Sequence, residues 1–135
     1  MSEFVVNDGP ATGLTAEEKQ WGMFAHLSAV VAICLGGLGF VGPLIIWLIK
    51  RSQMNFVDDQ GKESLNFQLN ILGAGVVLGI LGVPLGFLTF GLGLFLLFPL
   101  LAALAVYAIV MPILGAVRAN AGQAYRYPYI IRVIE

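Results

Sequence analysis

The chain has 135 residues, of which 59% are hydrophobic and 11% charged, with a formal net charge of −1. Soluble domains carry roughly 45–50% apolar and about 25% charged residues, so this composition excludes an ordinary water-soluble enzyme, and a near-neutral charge leaves no electrostatic case for nucleic acid. The single cysteine, Cys34, excludes an intramolecular disulfide.

What remains is an all-α integral membrane protein, and the charges mark out its helices. All fifteen charged side chains fall outside two windows, Gln20–Ile49 and Ser64–Val117. Residues 1–15 form a flexible polar segment with no basic stretch ahead of an apolar core, unlike a cleaved signal. Thr15-Ala16-Glu17-Glu18 then fits a capping box, in which hydroxyl and carboxylate each satisfy an orphan backbone N–H. A helix is predicted over 16–34. The first window is too long for one upright span of about 20 residues and too short for two. Its middle, Gly36-Gly37-Leu38-Gly39-Phe40-Val41-Gly42-Pro43, disfavours a continuous helix, since each glycine costs about 1 kcal/mol and an interior proline about 3. A second, short helix is predicted over 40–51, so that the first hairpin is broken. Irregular backbone at membrane depth must be covered by protein or line a cavity. The rival arrangement makes 21–49 one tilted span with the N-terminus on the opposite side and Trp21 and Trp47 at the two interfaces.

Asp58 or Asp59 is placed to cap a third helix, expected over 59–82. Gly82-Val83-Pro84-Leu85-Gly86, with Gly91 and Gly93 following, reads as the turn at the far membrane surface, and a fourth helix follows over 93–119, kinked at Pro99 and Pro112. The fold expected is a four-helix membrane bundle over 16–122 with an interfacial tail over 123–135. Basic residues near span ends set orientation. Lys50, Arg51, Lys62, Arg118, Arg126 and Arg132 share one face in the hairpin arrangement. That puts the C-terminus, and with it the N-terminus, in the cytoplasm of a prokaryotic cell with the chain crossing the inner membrane several times.

Few side chains are candidates for chemistry. His26, the only histidine, lies in the first window, where a polar side chain turns to the bundle interior. A structural hydrogen bond between helices is the plainer expectation for it and a proton relay the sharper one. Glu63, Asn66 and Asn70 recur on one face of the third helix, as a polar path or as contacts between helices. Gly75-Val76-Val77-Leu78-Gly79 is a small-xxx-small pattern, read as internal packing, with self-association as the alternative. Lys50, Arg51, Arg118, Tyr125, Arg126, Tyr127 and Arg132 are candidates for lipid headgroups or a partner, since Tyr favours the headgroup zone and Arg pairs with phosphate. The carboxylates Asp58, Asp59 and Glu63 have no concave site or partners in view for acid–base chemistry, and His26 has no ligand-spaced His, Cys or acid beside it, so no catalytic residue, metal or cofactor is expected.

Several stretches in order carry a resemblance: Ala25-His26-Leu27-Ser28, Gly42 to Arg51, Phe56 to Gln68, Arg118-Ala119-Asn120-Ala121-Gly122 and Tyr125-Arg126-Tyr127-Pro128. Together they resemble a family of small prokaryotic membrane proteins that is similar to the Tic-twenty channel subunit of the chloroplast inner-envelope import machinery. The sequence departs from that pattern at Gln60, Ala121 and Gln123. The resemblance implies a four-helix bundle with both termini on one side and a link to protein translocation.

The function expected is that of a non-catalytic membrane subunit or accessory factor of a larger assembly, with lipids and other membrane proteins or a second copy as partners. The alternative is a small oligomeric channel or carrier with His26, Glu63, Asn66 and Asn70 along its path.

Overall fold

A computed structural model describes residues 13–135, and the N-terminal segment expected over 1–15 lies outside it except for its last three residues. Four helices account for the regular structure of the described residues: α1 (Ala16–Cys34), α2 (Val41–Lys50), α3 (Asn55–Leu88) and α4 (Leu94–Asn120). No strand occurs among them. Two of the helices, α3 and α4, are long and apolar enough to cross a membrane.

The start of α1 follows from its side chains. Thr15 Oγ1 accepts from the Glu18 N–H at 3.1 Å, and the Glu18 carboxylate accepts from the Thr15 N–H at 2.8 Å. The chain then breaks at 35–40, where Gly36 takes a positive φ of 78°. Gly39 presses against the Gln68 side chain of α3, so the break is covered on one side. Leu35 and Leu38 on its other side are exposed.

The third helix differs from expectation at both ends. It begins at Asn55 after an extended Met54 with no side-chain cap, and Asp58 and Asp59 lie inside it. Asp58 accepts instead from Trp47 Nε1 and Lys62 Nζ, at 2.8 and 2.9 Å, which ties α2 to α3. At the other end the helix runs straight through Gly82–Gly86 and stops at Leu88. Pro84 removes only the one hydrogen bond its missing N–H would make. Gly82 and Gly86 are needed for close packing, since a Cβ at either would strike Leu97 or Leu94 of α4. The reversal is made by Phe90 and Gly91, at φ 51° and 93°. Thr89 Oγ1 stabilises it by accepting from the Gly93 N–H at 2.7 Å.

α1 and α3 are central. Each packs on the other three helices, whereas α2 and α4 do not meet. The core is confined to one end. On α3 the buried residues run from Phe56 to Gln68, and beyond them only Gly82 and Gly86 are buried. At that end a Cβ on Gly22 would come within 2.5 Å of Phe56, and one on Gly61 within 2.9 Å of Trp47. From Leu72 outward the α3–α4 pair is an exposed apolar hairpin. Gly79, of the small-xxx-small pattern, touches nothing, and Gly75 meets only Leu104 at 3.9 Å. The expectation of internal packing there is corrected: the close approach of α3 to α4 falls instead at Gly82 and Gly86.

Candidate functional site

The polar residues of α1 and α3 converge on the C-terminal tail. After α4, Gly122 adopts φ 81° and turns the chain back along α3. Tyr127 is then 2% exposed, with its ring stacked on Phe67 at 4.1 Å between centroids. Its phenol oxygen lies 2.8 Å from His26 Nδ1. On the other side of the imidazole, His26 Nε2 lies 2.8 Å from Gln60 Oε1. Gln60 Nε2 donates to Asp59 at 2.7 Å, which fixes the amide with its oxygen toward the ring. His26 Nε2 therefore carries a proton and donates, and in the neutral ring Nδ1 accepts from the Tyr127 hydroxyl. The same Gln60 oxygen accepts from the Tyr125 N–H at 2.9 Å.

Below this, Glu63 is 3% exposed. Its carboxylate takes Arg132 by two nitrogens, at 2.9 and 2.7 Å, and also accepts from the Tyr127 N–H at 2.8 Å. Such forked, charge-assisted bonds are among the stronger hydrogen bonds. Arg126 forms a second fork on Asp59. Asn66 Oδ1 accepts from the N–H groups of Val133 and Ile134, and Nδ2 donates to the Ile134 carbonyl. Asn70 brackets Ile131 in the same way. The tail's polar backbone is thus satisfied by helix side chains where no sheet exists to do so.

Electrostatics follow the packing. Burial pushes the Tyr127 phenol well above its ordinary value and raises Tyr125 too. The hydrogen bonds that Arg132 donates to Glu63 are the main cause that raises Arg132. Beside the forks lies a cleft of about 360 Å³ lined by Asp59, Lys62, Glu63, Asn66, Arg126 and Arg132. Among the described residues, no three His, Cys, Asp or Glu side chains are placed to hold a metal ion.

The structure brings His26, Glu63, Asn66 and Asn70 together, but around the chain's own tail rather than along a path. Of the residues expected at headgroups or a partner, Tyr127 is buried, and Arg126 and Arg132 are held by Asp59 and Glu63; Tyr125 lies edge-on to Tyr127. Their polar groups are drawn inward because a buried carboxylate needs a partner more than an exposed guanidinium does. Arg51 remains exposed over the Trp47 ring at 4.6 Å, whereas Lys50 is half-buried, over the Trp21 ring at 4.5 Å and 3.9 Å from the Glu17 carboxylate. Arg118 donates to Gln123 at 3.0 Å. Gln60 and Asp59 were missed as site residues. The α3 stripe was legible upstream of Glu63, since Phe56, Gln60, Glu63, Phe67 and Asn70 follow one helix face.

Comparison with known proteins follows this geometry closely. The model of the magnetosome magnetite crystal formation protein family, MamF/MmsF, matches residues 17–134, from the first turn of α1 to the end of the tail. This overturns the resemblance to proteins similar to the Tic-twenty import channel subunit: the family matched is a crystal-formation family. The stretches that suggested an import channel lie in α1, α2, the buried part of α3, the end of α4 and the tail. No curated protein and no solved structure matches the chain.

Proposed function

The chain belongs to the MamF/MmsF magnetosome magnetite crystal formation family, and we propose that it serves there as a non-catalytic, multi-pass membrane protein, an accessory subunit of the membrane assembly in which the crystal forms. Its α3–α4 hairpin crosses the bilayer, and α1–α2 enters from the side that holds the tail. The basic residues Lys50, Arg51, Arg118, Arg126 and Arg132 support a cytoplasmic position for that side.

One observation carries this reading. The polar groups that would serve a catalytic or conducting role, His26, Gln60, Glu63, Asn66 and Asn70, are engaged by the tail. A conducting path along them would first require the tail to leave, exposing a buried carboxylate. The remaining surface is apolar and suited to lipid and to neighbouring membrane proteins.

The test is deletion of the chain in a magnetite-forming cell, with crystals examined by electron microscopy and the protein isolated from membranes in mild detergent. Altered crystals restored by the wild-type chain, and co-isolation with other membrane proteins, are expected. Normal crystals in its absence, together with isolation as a lone monomer, would contradict the assignment.

A further inference from the structure

The cross-section of the molecule changes along the membrane normal, and this follows from where each helix stops. Trp47 on α2 packs on Gly61 of α3, and Lys50 and Arg51 cover the Trp21 and Trp47 rings at the same end. Trp and basic side chains together mark a headgroup level. From Gly61 to the reversal at Thr89 is about 42 Å of helix at 1.5 Å per residue, which matches the roughly 40–45 Å of a bilayer with its headgroups. The tip of the α1–α2 hairpin, at Gly39, lies against Gln68, only about 10 Å below Gly61 on the same scale. Past Gln68, α3 continues for about 30 Å, with Leu104, Leu97 and Leu94 of α4 beside Gly75, Gly82 and Gly86.

Four helices and a tail therefore occupy the leaflet near the termini, and two helices occupy the other. The short hairpin belongs in lipid rather than above it. Val31, Leu35, Leu38, Ile45, Leu48 and Ile49 on its outer surface are 52%, 83%, 52%, 51%, 52% and 54% exposed. Its two helices also leave an apolar groove of about 620 Å³ between them. Helices inserted into one leaflet alone widen that leaflet relative to the other, the geometric cause that also makes shallow amphipathic helices curvature-sensitive.

We propose that the protein is a membrane wedge: by placing its α1–α2 hairpin in one leaflet only, it favours membrane that is convex on the side of its termini. This rests on the membrane reading above but is independent of any role in crystal growth. A wedge of this kind stabilises small vesicles or buds that carry the termini on their outer face.

The experiment reconstitutes the full chain into large and small unilamellar vesicles of one phosphatidylglycerol–phosphatidylethanolamine composition. The fraction of chains with the tail outward is read by labelling from outside. A several-fold excess of tail-outward over tail-inward chains in small vesicles, with near parity in large ones, is expected. Equal ratios in both overturn the wedge while leaving the membrane reading intact. Failure to recover the protein with vesicles of either size overturns the membrane reading itself. A second measurement uses Leu38→Cys and Leu92→Cys, each in a Cys34→Ala background, with fluorescent labels. Lipids quenching in the near leaflet are expected to reach position 38, and soluble quencher on the far side only position 92. Access to position 38 from the far side shows a spanning hairpin and overturns the wedge whatever the vesicle ratios.

Discussion

Asn70 holds Ile131 by both of its backbone polar groups: Nδ2 donates to the Ile131 carbonyl at 2.7 Å and Oδ1 accepts from its N–H at 2.9 Å. Two facing residues of an antiparallel sheet exchange bonds in this way. Here a side-chain amide on a helix supplies the partner, and one turn earlier Asn66 does the same for Val133 and Ile134. A carboxamide is required at each position because one group must donate while the other accepts.

Replacing either amide tests the clamp. Asn66→Leu leaves three backbone groups without partners at a site that is 1% exposed, and is expected to cost about 1–3 kcal/mol. Asn70→Leu acts at a more exposed place and frees only the two groups of Ile131, and is expected to cost about 0.5–1.5 kcal/mol. Both variants keep the helix content, so circular dichroism stays unchanged while limited proteolysis cuts the tail faster, Asn66→Leu fastest. Equal protease resistance in the wild type and both variants contradicts the clamp.

The Glu63–Arg132 pair is asymmetric. The Glu63 side chain is 4% exposed and that of Arg132 43%. Arg132→Ala strands a buried carboxylate with only the Tyr127 N–H, whereas Glu63→Gln leaves an arginine that water can solvate. Arg132→Ala is therefore expected to lower the thermal midpoint in detergent more than Glu63→Gln does, by the equivalent of about 1–3 kcal/mol of unsatisfied polar burial. The reverse order removes the assignment of Glu63 as the buried partner.

Tyr127 gives a pH dependence of known sign. Its folded-state pKa is raised well above the ordinary value of 10.0, chiefly by burial. The stability this contributes is fully present below about pH 10, the unfolded value, and is lost as pH rises beyond it. Alkaline titration of the wild type should show a late tyrosinate step coincident with release of the tail. Tyr127→Phe should remove that step and flatten tail stability above pH 10, and persistence of the late step in that variant assigns it to another tyrosine.

Two sets of glycines should behave oppositely. A Cβ on Gly42 would run into the Ser28 carbonyl of α1, which is backbone and unable to swing aside. Gly42→Ala should separate α1 from α2 at a cost of about 1–3 kcal/mol, as overpacking does. Gly73 and Gly79 face open space, so alanine there should be neutral or stabilise the helix by up to about 1 kcal/mol. Thermal unfolding in detergent checks the contrast, and a large loss from Gly79→Ala points to a contact with another chain at that face.

Much of the helix pattern was legible because charge is excluded from lipid. The long charge-free window held both helices of the exposed hairpin, and the glycines at 36–42 marked the break. The far turn was begun too early, because Gly82-Val83-Pro84-Leu85-Gly86 carries every local mark of a turn, although Gly91 does lie at the reversal. Gly82 and Gly86 serve close packing with Leu94 and Leu97 instead, and the helix tolerates Pro84. The spacing of Glu63, Asn66 and Asn70 was also visible, but not its purpose. The groups they bind lie more than sixty residues away in an extended segment without periodicity. For the same reason Tyr127 and Arg132 read as surface residues, although their partners lie in the core.

The clamp of the tail onto α3 is tested most directly by a short bifunctional maleimide applied to Asn70→Cys/Ile131→Cys in a Cys34→Ala background, in native membranes. Rapid linkage within a single chain, seen as a monomeric band that a protease site introduced at Gln123 no longer divides, is the expected result. Linkage only between two chains, or none while each cysteine alone labels freely, would show that the tail lies elsewhere and that the polar face of α3 is open.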